Sequence, residues 1–174
     1  MTDRRFRALV AATLVLFGAM AAAGSTACGQ TFFPCSFDAQ FLPYGPDAAR
    51  RYLAAIGADL WRYLWIVQPL DLVVPALTCL SLREAFRRWA PARWTRILGG
   101  AAVLFAATDY LENAVVRVML NRPQGDFPDA VAHAATTLTT LKWVLLVPLL
   151  MLIAILWVGR RRVGPHAGPD GGRR

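Results

Sequence analysis

The sequence contains very little lysine, histidine and cysteine. Among its 174 residues are three cysteines, two histidines and a single lysine, Lys142. It has no C-x-x-C pair and no cluster of histidine and cysteine at metal-ligand spacing. These absences argue against a thiol–disulfide oxidoreductase, and we expect no metal site. They give no indication of a cofactor.

Apolar residues, in contrast, are abundant. Hydrophobic residues make up 56% of the chain and the mean hydropathy is +0.41, values typical of a membrane protein. Four apolar stretches lie at about 8–24, 60–82, 97–120 and 137–158. A helix needs about 20 residues to cross the hydrocarbon layer. We therefore predict an all-α membrane protein, with four transmembrane helices forming an antiparallel bundle.

The charged residues predict the orientation of this bundle. Arginine is concentrated before the first stretch, between the second and third stretches, and after the fourth, whereas the other two loops are poor in it. By the positive-inside rule both termini are cytoplasmic, and we predict a multi-pass protein of a bacterial inner membrane. The net charge is +8, but the arginines border apolar stretches. The predicted partner is therefore the lipid bilayer and not nucleic acid.

The domain plan has one transmembrane domain, residues 1–160, with an outer loop at 25–59 and a disordered basic tail at 161–174. The first stretch is short, and a cleaved secretory signal peptide is the alternative to a retained span. In the outer loop, Cys28 and Cys35 are candidates for a local disulfide. Tyr52, Trp61, Tyr63 and Trp65 suit an interfacial aromatic belt, in which a short helix turns into the second span.

Two prolines in the second span are predicted to open backbone acceptors. Gln68 and Asp71 are three residues apart and share a helix face. Because Pro75 has no N–H, it leaves the carbonyl of residue 71 without its helical donor. Pro69 is predicted to do the same to Trp65. Freed carbonyls inside a membrane need partners from other helices or from water.

The third span carries Asp109, Glu112 and Asn113 at positions i, i+3 and i+4, which form one face. Each carboxylate in mid-membrane costs about 2.5–3.5 kcal/mol on insertion scales, so this face should point at another helix or at a wet cavity. Counted from the outer ends, Asp71 and Asp109 lie about 16 Å deep, Glu112 about 12 Å and Lys142 about 8 Å.

These depths predict that Asp71 and Asp109 meet near the midplane and that Lys142 pairs with Glu112. Arg117 is the alternative partner for Glu112. The expected result is one polar pocket between the second, third and fourth spans, running toward the outer face. Its predicted binding residues are Gln68, Asp71, Asp109, Glu112, Asn113 and Lys142.

The main functional interpretation is a pocket that binds a lipid-like or small ligand. One alternative is an intramembrane enzyme acting on a lipid, by acid–base or metal-assisted chemistry, with Asp109, Glu112 and Asp71 as candidate catalytic residues. A second is a proton-coupled carrier, which with four spans would need a homo-oligomer. A third is a structural clasp, in which the polar groups only hold the helices together.

Three segments carry a resemblance to known proteins. "QPLDLVVPAL", "ATDYLENAVV" and "TTLKW", in that order on consecutive spans, resemble a group of uncharacterised small bacterial four-span membrane proteins with a D-x-x-E-N motif in the third span. The resemblance covers about residues 52–158. It implies the four-span plan and one cluster of Asp71, Asp109, Glu112, Asn113 and Lys142. It implies no activity.

Overall fold

The computed structural model describes residues 1–26, 36–37, 42–122 and 125–162, and within these ranges every regular element is helical. The all-α class is therefore confirmed. Cys28 and Cys35, the proposed disulfide pair, and residues 163–174 of the predicted tail lie outside the described residues. The helices are α1 (Asp3–Thr26), α2 (Pro46–Ile56), α3 (Leu60–Trp89), α4 (Ala92–Leu120) and α5 (Asp129–Arg162).

Three of the long helices have the length and apolar composition needed to cross a membrane: Asp3–Gly24, Leu60–Trp89 and Asp129–Arg160. Helix α5 has 34 residues and is about 51 Å long, so it extends beyond the predicted span at both ends. It includes Arg161 and Arg162, which the sequence had assigned to a disordered tail. Helix α4 has 29 residues but carries charges along its length.

The helices pack in an order that follows the chain. Helix α1 packs against α3, α3 packs against α4, and α5 packs against α4 and more lightly against α3. Only Ala90 and Pro91 separate α3 from α4, which makes these two helices antiparallel. Residues 121–128 connect α4 to α5. The three helices α3, α4 and α5 thus enclose a common interior.

This interior has two apolar clusters, one toward each end. The first cluster joins α2 to the nearby ends of α3, α4 and α5, and includes Tyr52, Tyr63, Val116 and Met119. The second cluster lies toward the α3–α4 connection and includes Phe86, Ala102, Phe105, Ala106 and Leu149. Along each of the three helices, buried polar residues separate the members of the two clusters. We call these polar residues the polar layer: Gln68, Asp71, Asp109, Glu112, Asn113, Thr139 and Lys142.

The segment before α3 folds partly as predicted. Helix α2 buries one face, containing Ala49, Tyr52, Leu53 and Ile56, and then a 3₁₀ turn at Gly57–Asp59 leads into α3. Gly57 has φ +41°, a backbone conformation that favours glycine. Two short helical elements therefore turn the chain into the bundle.

Two of the four residues predicted for the aromatic belt lie in the protein core. Trp61 and Trp65 are exposed, at 54% and 72%, but Tyr52 and Tyr63 are completely buried. Phe37 packs edge-on against Tyr52, with ring centroids 4.7 Å apart, and Tyr52 packs similarly against Tyr63 at 6.5 Å. The two tyrosines are core residues because α2 folds back over the end of the bundle.

Arg50 fixes α2 to the connection between α4 and α5. Its guanidinium donates to the carbonyl oxygens of Gly125 and Phe127 at 3.3 Å, and it forms a 2.5 Å ion pair with Asp129. The hydrogen bond with Asp129 raises the pKa of Arg50 above its ordinary value. Gly125 has φ +77°, and a Cβ there would lie 3.1 Å from the Arg50 side chain. Both the positive φ and the short distance to Arg50 therefore favour glycine at this position.

Candidate functional site

Lys142 is the centre of the polar layer. Its ammonium nitrogen lies 2.8 Å from Asp109 Oδ1 and 2.5 Å from Glu112 Oε2. The predicted Lys142–Glu112 ion pair is thus confirmed. Asp109, which was expected to meet Asp71, pairs with Lys142. All three side chains are buried, and Glu112 is 0% exposed.

Helix periodicity explains why these groups meet. Asp109 and Glu112 are three residues apart on α4, so both carboxylates point toward α5. On α5, Thr139 and Lys142 have the same spacing and face α4. The Thr139 hydroxyl donates to Glu112 Oε1 at 2.5 Å and also lies 2.9 Å from the Ala135 carbonyl oxygen. The carboxylate of Glu112 is therefore bound by two groups of one neighbouring helix.

Asn113 links α4 to α3 through the acceptor that Pro75 opens. Its Nδ2 donates to the backbone carbonyl oxygen of Asp71 at 3.2 Å. This is the carbonyl that would normally receive the N–H of residue 75, so the predicted freed acceptor has found a partner on another helix. The Asp71 side chain is 3% exposed.

A π-helical segment at Tyr63–Val67 changes the effect of the other proline. The N–H of Gln68 bonds the carbonyl of Tyr63, five residues back, so in this register Pro69 is the residue that fails to donate to Leu64. Arg117 Nη1 donates to Leu64 O at 3.4 Å. The sequence predicts an opened carbonyl at Trp65, on the assumption of α-helical geometry throughout, and the π segment adds the one at Leu64.

Arg117 also donates to Gln68 Oε1 at 2.7 Å, and Gln68 Nε2 lies 3.5 Å from the carbonyl oxygen of Asn113. Arg117 is partly exposed, whereas Gln68 is buried. In this arrangement Arg117 bonds α3, and Lys142 occupies the position beside Glu112. These contacts connect the three helices in one layer.

The structure brings all six predicted binding residues into this layer, and all six are buried. The first apolar cluster lies between it and the end of the bundle that carries α2. The predicted opening toward that end stays a prediction.

Thr139 was not among the predicted site residues, although it is 1% exposed and contacts Glu112 directly. Its spacing of three residues from Lys142 places both on one helix face, and this was the sequence feature that could have indicated its role. Across residues 1–26, 36–37, 42–122 and 125–162, no group of three or more histidine, cysteine, aspartate or glutamate side chains is placed to hold a metal ion. The layer's chemistry is thus that of carboxylates, an ammonium, amides and a hydroxyl.

Comparison of the chain with family models, curated proteins and solved structures finds no match. The resemblance to small bacterial proteins with a D-x-x-E-N motif remains a prediction from the sequence.

The Asn113–Asp71 contact can be tested with a double-mutant cycle. We expect Asn113→Ala to lower the free energy of unfolding by about 1–3 kcal/mol, because it leaves a buried carbonyl without a donor. Pro75→Ala supplies an N–H that can reach the same carbonyl. The loss caused by Asn113→Ala should then be smaller in the Pro75→Ala background, as measured by unfolding in mixed micelles. An equal loss in both backgrounds would contradict this assignment.

The role of Lys142 in the layer predicts a larger effect. Lys142→Met should lower the free energy of unfolding by about 3–5 kcal/mol, because two buried carboxylates lose their counter-ion. Adding Asp109→Asn and Glu112→Gln to Lys142→Met removes both charges and should restore most of the stability. The same unfolding assay measures both proteins, and a loss below about 1 kcal/mol for Lys142→Met would exclude a strong ion pair.

Proposed function

We propose that the protein spans the membrane four times, with both termini in the cytoplasm. The main support for including α4 is its outward surface, where Ile97, Val103, Leu104, Leu111 and Val118 are exposed while its charged face is buried. That distribution suits a helix surrounded partly by lipid and partly by protein. The helix also lies antiparallel to α3, which can itself cross a membrane.

Contacts along α1 support its retention as the first span. Phe6 packs edge-on against Trp89, with centroids 5.7 Å apart, and Thr13 Oγ1 lies 3.1 Å from Ser81 Oγ. Arg88 bonds both Asp3 and Glu84. A cleaved signal peptide would leave these partners on α3 unmatched, which favours the retained span over the alternative.

The topology can be measured by cysteine labelling. In a background with Cys28, Cys35 and Cys79 replaced, we expect Asp126→Cys to react with a membrane-impermeant maleimide added to intact spheroplasts. Arg93→Cys should react only after the membrane is disrupted, because it lies at the other end of α4. Labelling of both positions from the same side would show that α4 does not cross the membrane.

We propose further that the polar layer is an intramembrane proton-binding site. The observation that supports this proposal most directly is the pairing of the Lys142 ammonium with two buried carboxylates, those of Asp109 at 2.8 Å and Glu112 at 2.5 Å. A clasp between α4 and α5 requires only one carboxylate per lysine. The second carboxylate adds an insertion cost of about 2.5–3.5 kcal/mol, and a bound proton would remove the excess negative charge.

The wider charge balance points the same way. The polar layer contains three carboxylates, those of Asp71, Asp109 and Glu112, and one cation, Lys142, while the half-buried Arg117 lies beside it. Arg117 bonds Gln68 and Leu64 on α3, and Lys142 pairs with the two α4 carboxylates. One exchangeable proton would make the Asp109–Lys142–Glu112 group electrically neutral.

Proton binding fits the burial of the polar layer better than the other interpretations. A lipid substrate or a small ligand would need room beside Lys142, which is 5% exposed, and the first apolar cluster lies between the layer and the α2 end of the bundle. A proton needs only a chain of polar groups. Within the layer Asn113 contacts Gln68, and Gln68 contacts Arg117, which is partly exposed. A proton-coupled carrier would use the same site.

Infrared spectroscopy of the purified chain in lipid nanodiscs tests this proposal. At neutral pH we expect the carbonyl stretch of a protonated carboxyl group, shifted in D₂O. Asp109→Asn should abolish the band, because Lys142 and Glu112 then form a balanced pair, and Glu112→Gln should do the same. Asp59→Asn, which changes an exposed carboxylate paired with Arg62, is the matched control and should retain the band.

Two results would overturn the assignment. Absence of the band from the wild-type protein would mean that Lys142 and both carboxylates are permanently charged, which is the structural clasp. Loss of the band in Asp71→Asn alone would place the proton on α3 and not on the Asp109–Glu112 pair.

A further inference from the structure

A second polar feature lies at the opposite end of the bundle from α2, where α3 ends and α4 begins. The two helices border a groove of about 300 Å³. From α3 it is lined by Arg83 and Arg87, and from α4 by Arg96, Gly99, Gly100 and Val103. These residues are separate from the polar layer, and the inference below does not depend on the proposed proton site.

Helix periodicity places the lining residues in two facing rows. Arg83 and Arg87 are four residues apart and lie on one face of α3. On α4, Arg96, Gly100 and Val103 follow at i, i+4 and i+7, so they also share a face. The two helices are antiparallel, and the arginines of both rows therefore converge on the same space near the membrane boundary.

The groove has an excess of positive charge. Arg83 and Arg96 are exposed, and neither forms an ion pair within the part of the chain that the structure describes. Arg87 lies 3.5 Å from Glu84 Oε2, but the same glutamate accepts a 2.9 Å bond from Arg88. An anion entering the groove would thus meet two arginines that no protein carboxylate neutralises.

The polarity of the groove changes with depth. Its arginines lie toward the end of the bundle, whereas Val103, two turns further along α4 than Arg96, is apolar and 46% exposed. Leu80 on α3 and Leu104 on α4 are also exposed at this deeper level. Between the two zones, a Cβ added to Gly100 would meet nothing within 4 Å, which leaves the helix backbone open to a close neighbour.

We propose that this groove binds an anionic phospholipid. The arginines would hold the phosphate and the anionic headgroup, the open surface at Gly100 would accept the glycerol region, and Val103 with Leu80 and Leu104 would contact an acyl chain. The volume suits a headgroup and is too small for a folded partner. Free phosphate would satisfy the arginines but would leave the apolar part of the groove uncovered.

Native mass spectrometry of the full chain can test the proposal. Protein is released from nanodiscs of phosphatidylcholine containing phosphatidylglycerol, and retention of phosphatidylglycerol is compared among variants. We expect Arg83→Gln combined with Arg96→Gln to weaken retention roughly tenfold, since each arginine near an anionic surface contributes a several-fold factor. Gly100→Leu should also weaken it, by filling the groove without changing the charge.

The matched control is Arg4→Gln combined with Arg7→Gln. It removes the same charge from exposed positions of α1 at the same end of the bundle, where Phe6 contacts Trp89. Retention should stay near the wild-type level, and circular dichroism should show that all variants are folded. An equal loss in the control would mean that only general surface charge attracts the lipid, which would overturn the proposal.

An additional experiment distinguishes a bound phospholipid from a free anion as the ligand of the groove. Inorganic phosphate added to the detergent-solubilised protein should not displace phosphatidylglycerol, because it makes no contact with the apolar part of the groove. Full displacement by phosphate would assign the site to a free anion instead. Normal retention in Gly100→Leu would show that the lipid does not occupy the groove.

Discussion

The contact of Lys142 with Asp109 and Glu112 is the interaction on which the arrangement of the bundle depends. Buried charges are costly without a counter-ion, so α4 presents its carboxylates to α5 at the level of the single lysine. That requirement fixes both the rotation of α4 and its position along α5. A shift of one helical turn would separate the ammonium from at least one carboxylate and leave charge without a counter-ion.

The apolar clusters follow from this registry. With the polar layer aligned, residues near Val116 on α4 lie level with Ala132 and Ala135 on α5, and Phe105 lies level with Leu149. Small residues at Ala102 and Ala106 permit the close packing that continues the interface away from the charges. The polar layer thus provides specificity, and the two clusters provide most of the buried apolar area.

The helical irregularities of α3 belong to the same system. Pro75 and the π segment before Gln68 each leave a carbonyl without its usual donor, and side chains of α4 bond both carbonyls. Asn113 and Arg117 are four residues apart on α4, whereas the two open carbonyls are seven residues apart on α3, and the long side chain of Arg117 covers the difference. The distortions of one helix and the polar face of its neighbour are therefore complementary, as expected where backbone polar groups must be satisfied inside a membrane.

Much of this could be predicted from the sequence. The length of the apolar stretches predicts long helices, and the i, i+3, i+4 spacing of Asp109, Glu112 and Asn113 predicts one buried polar face. The proline at position 75 predicts the acceptor at Asp71, because the loss of an N–H is a covalent property. The predicted partner of Lys142, Glu112, was correct since both positions could be counted from the helix ends.

The rest depended on tertiary contacts. Counting residue depth along each helix did not predict that Lys142 would also form an ion pair with Asp109, because the rotation of α5 about its axis is set by packing. Tyr52 and Tyr63 resemble interfacial residues in sequence, and only the folding of α2 over the bundle buries them. The π register that opens the carbonyl of Leu64 is a local adjustment without a sequence pattern of its own. The sequence alone therefore determined which groups must be buried together, whereas the tertiary structure decided which atoms meet, because side-chain contacts depend on helix rotation and register that periodicity leaves open.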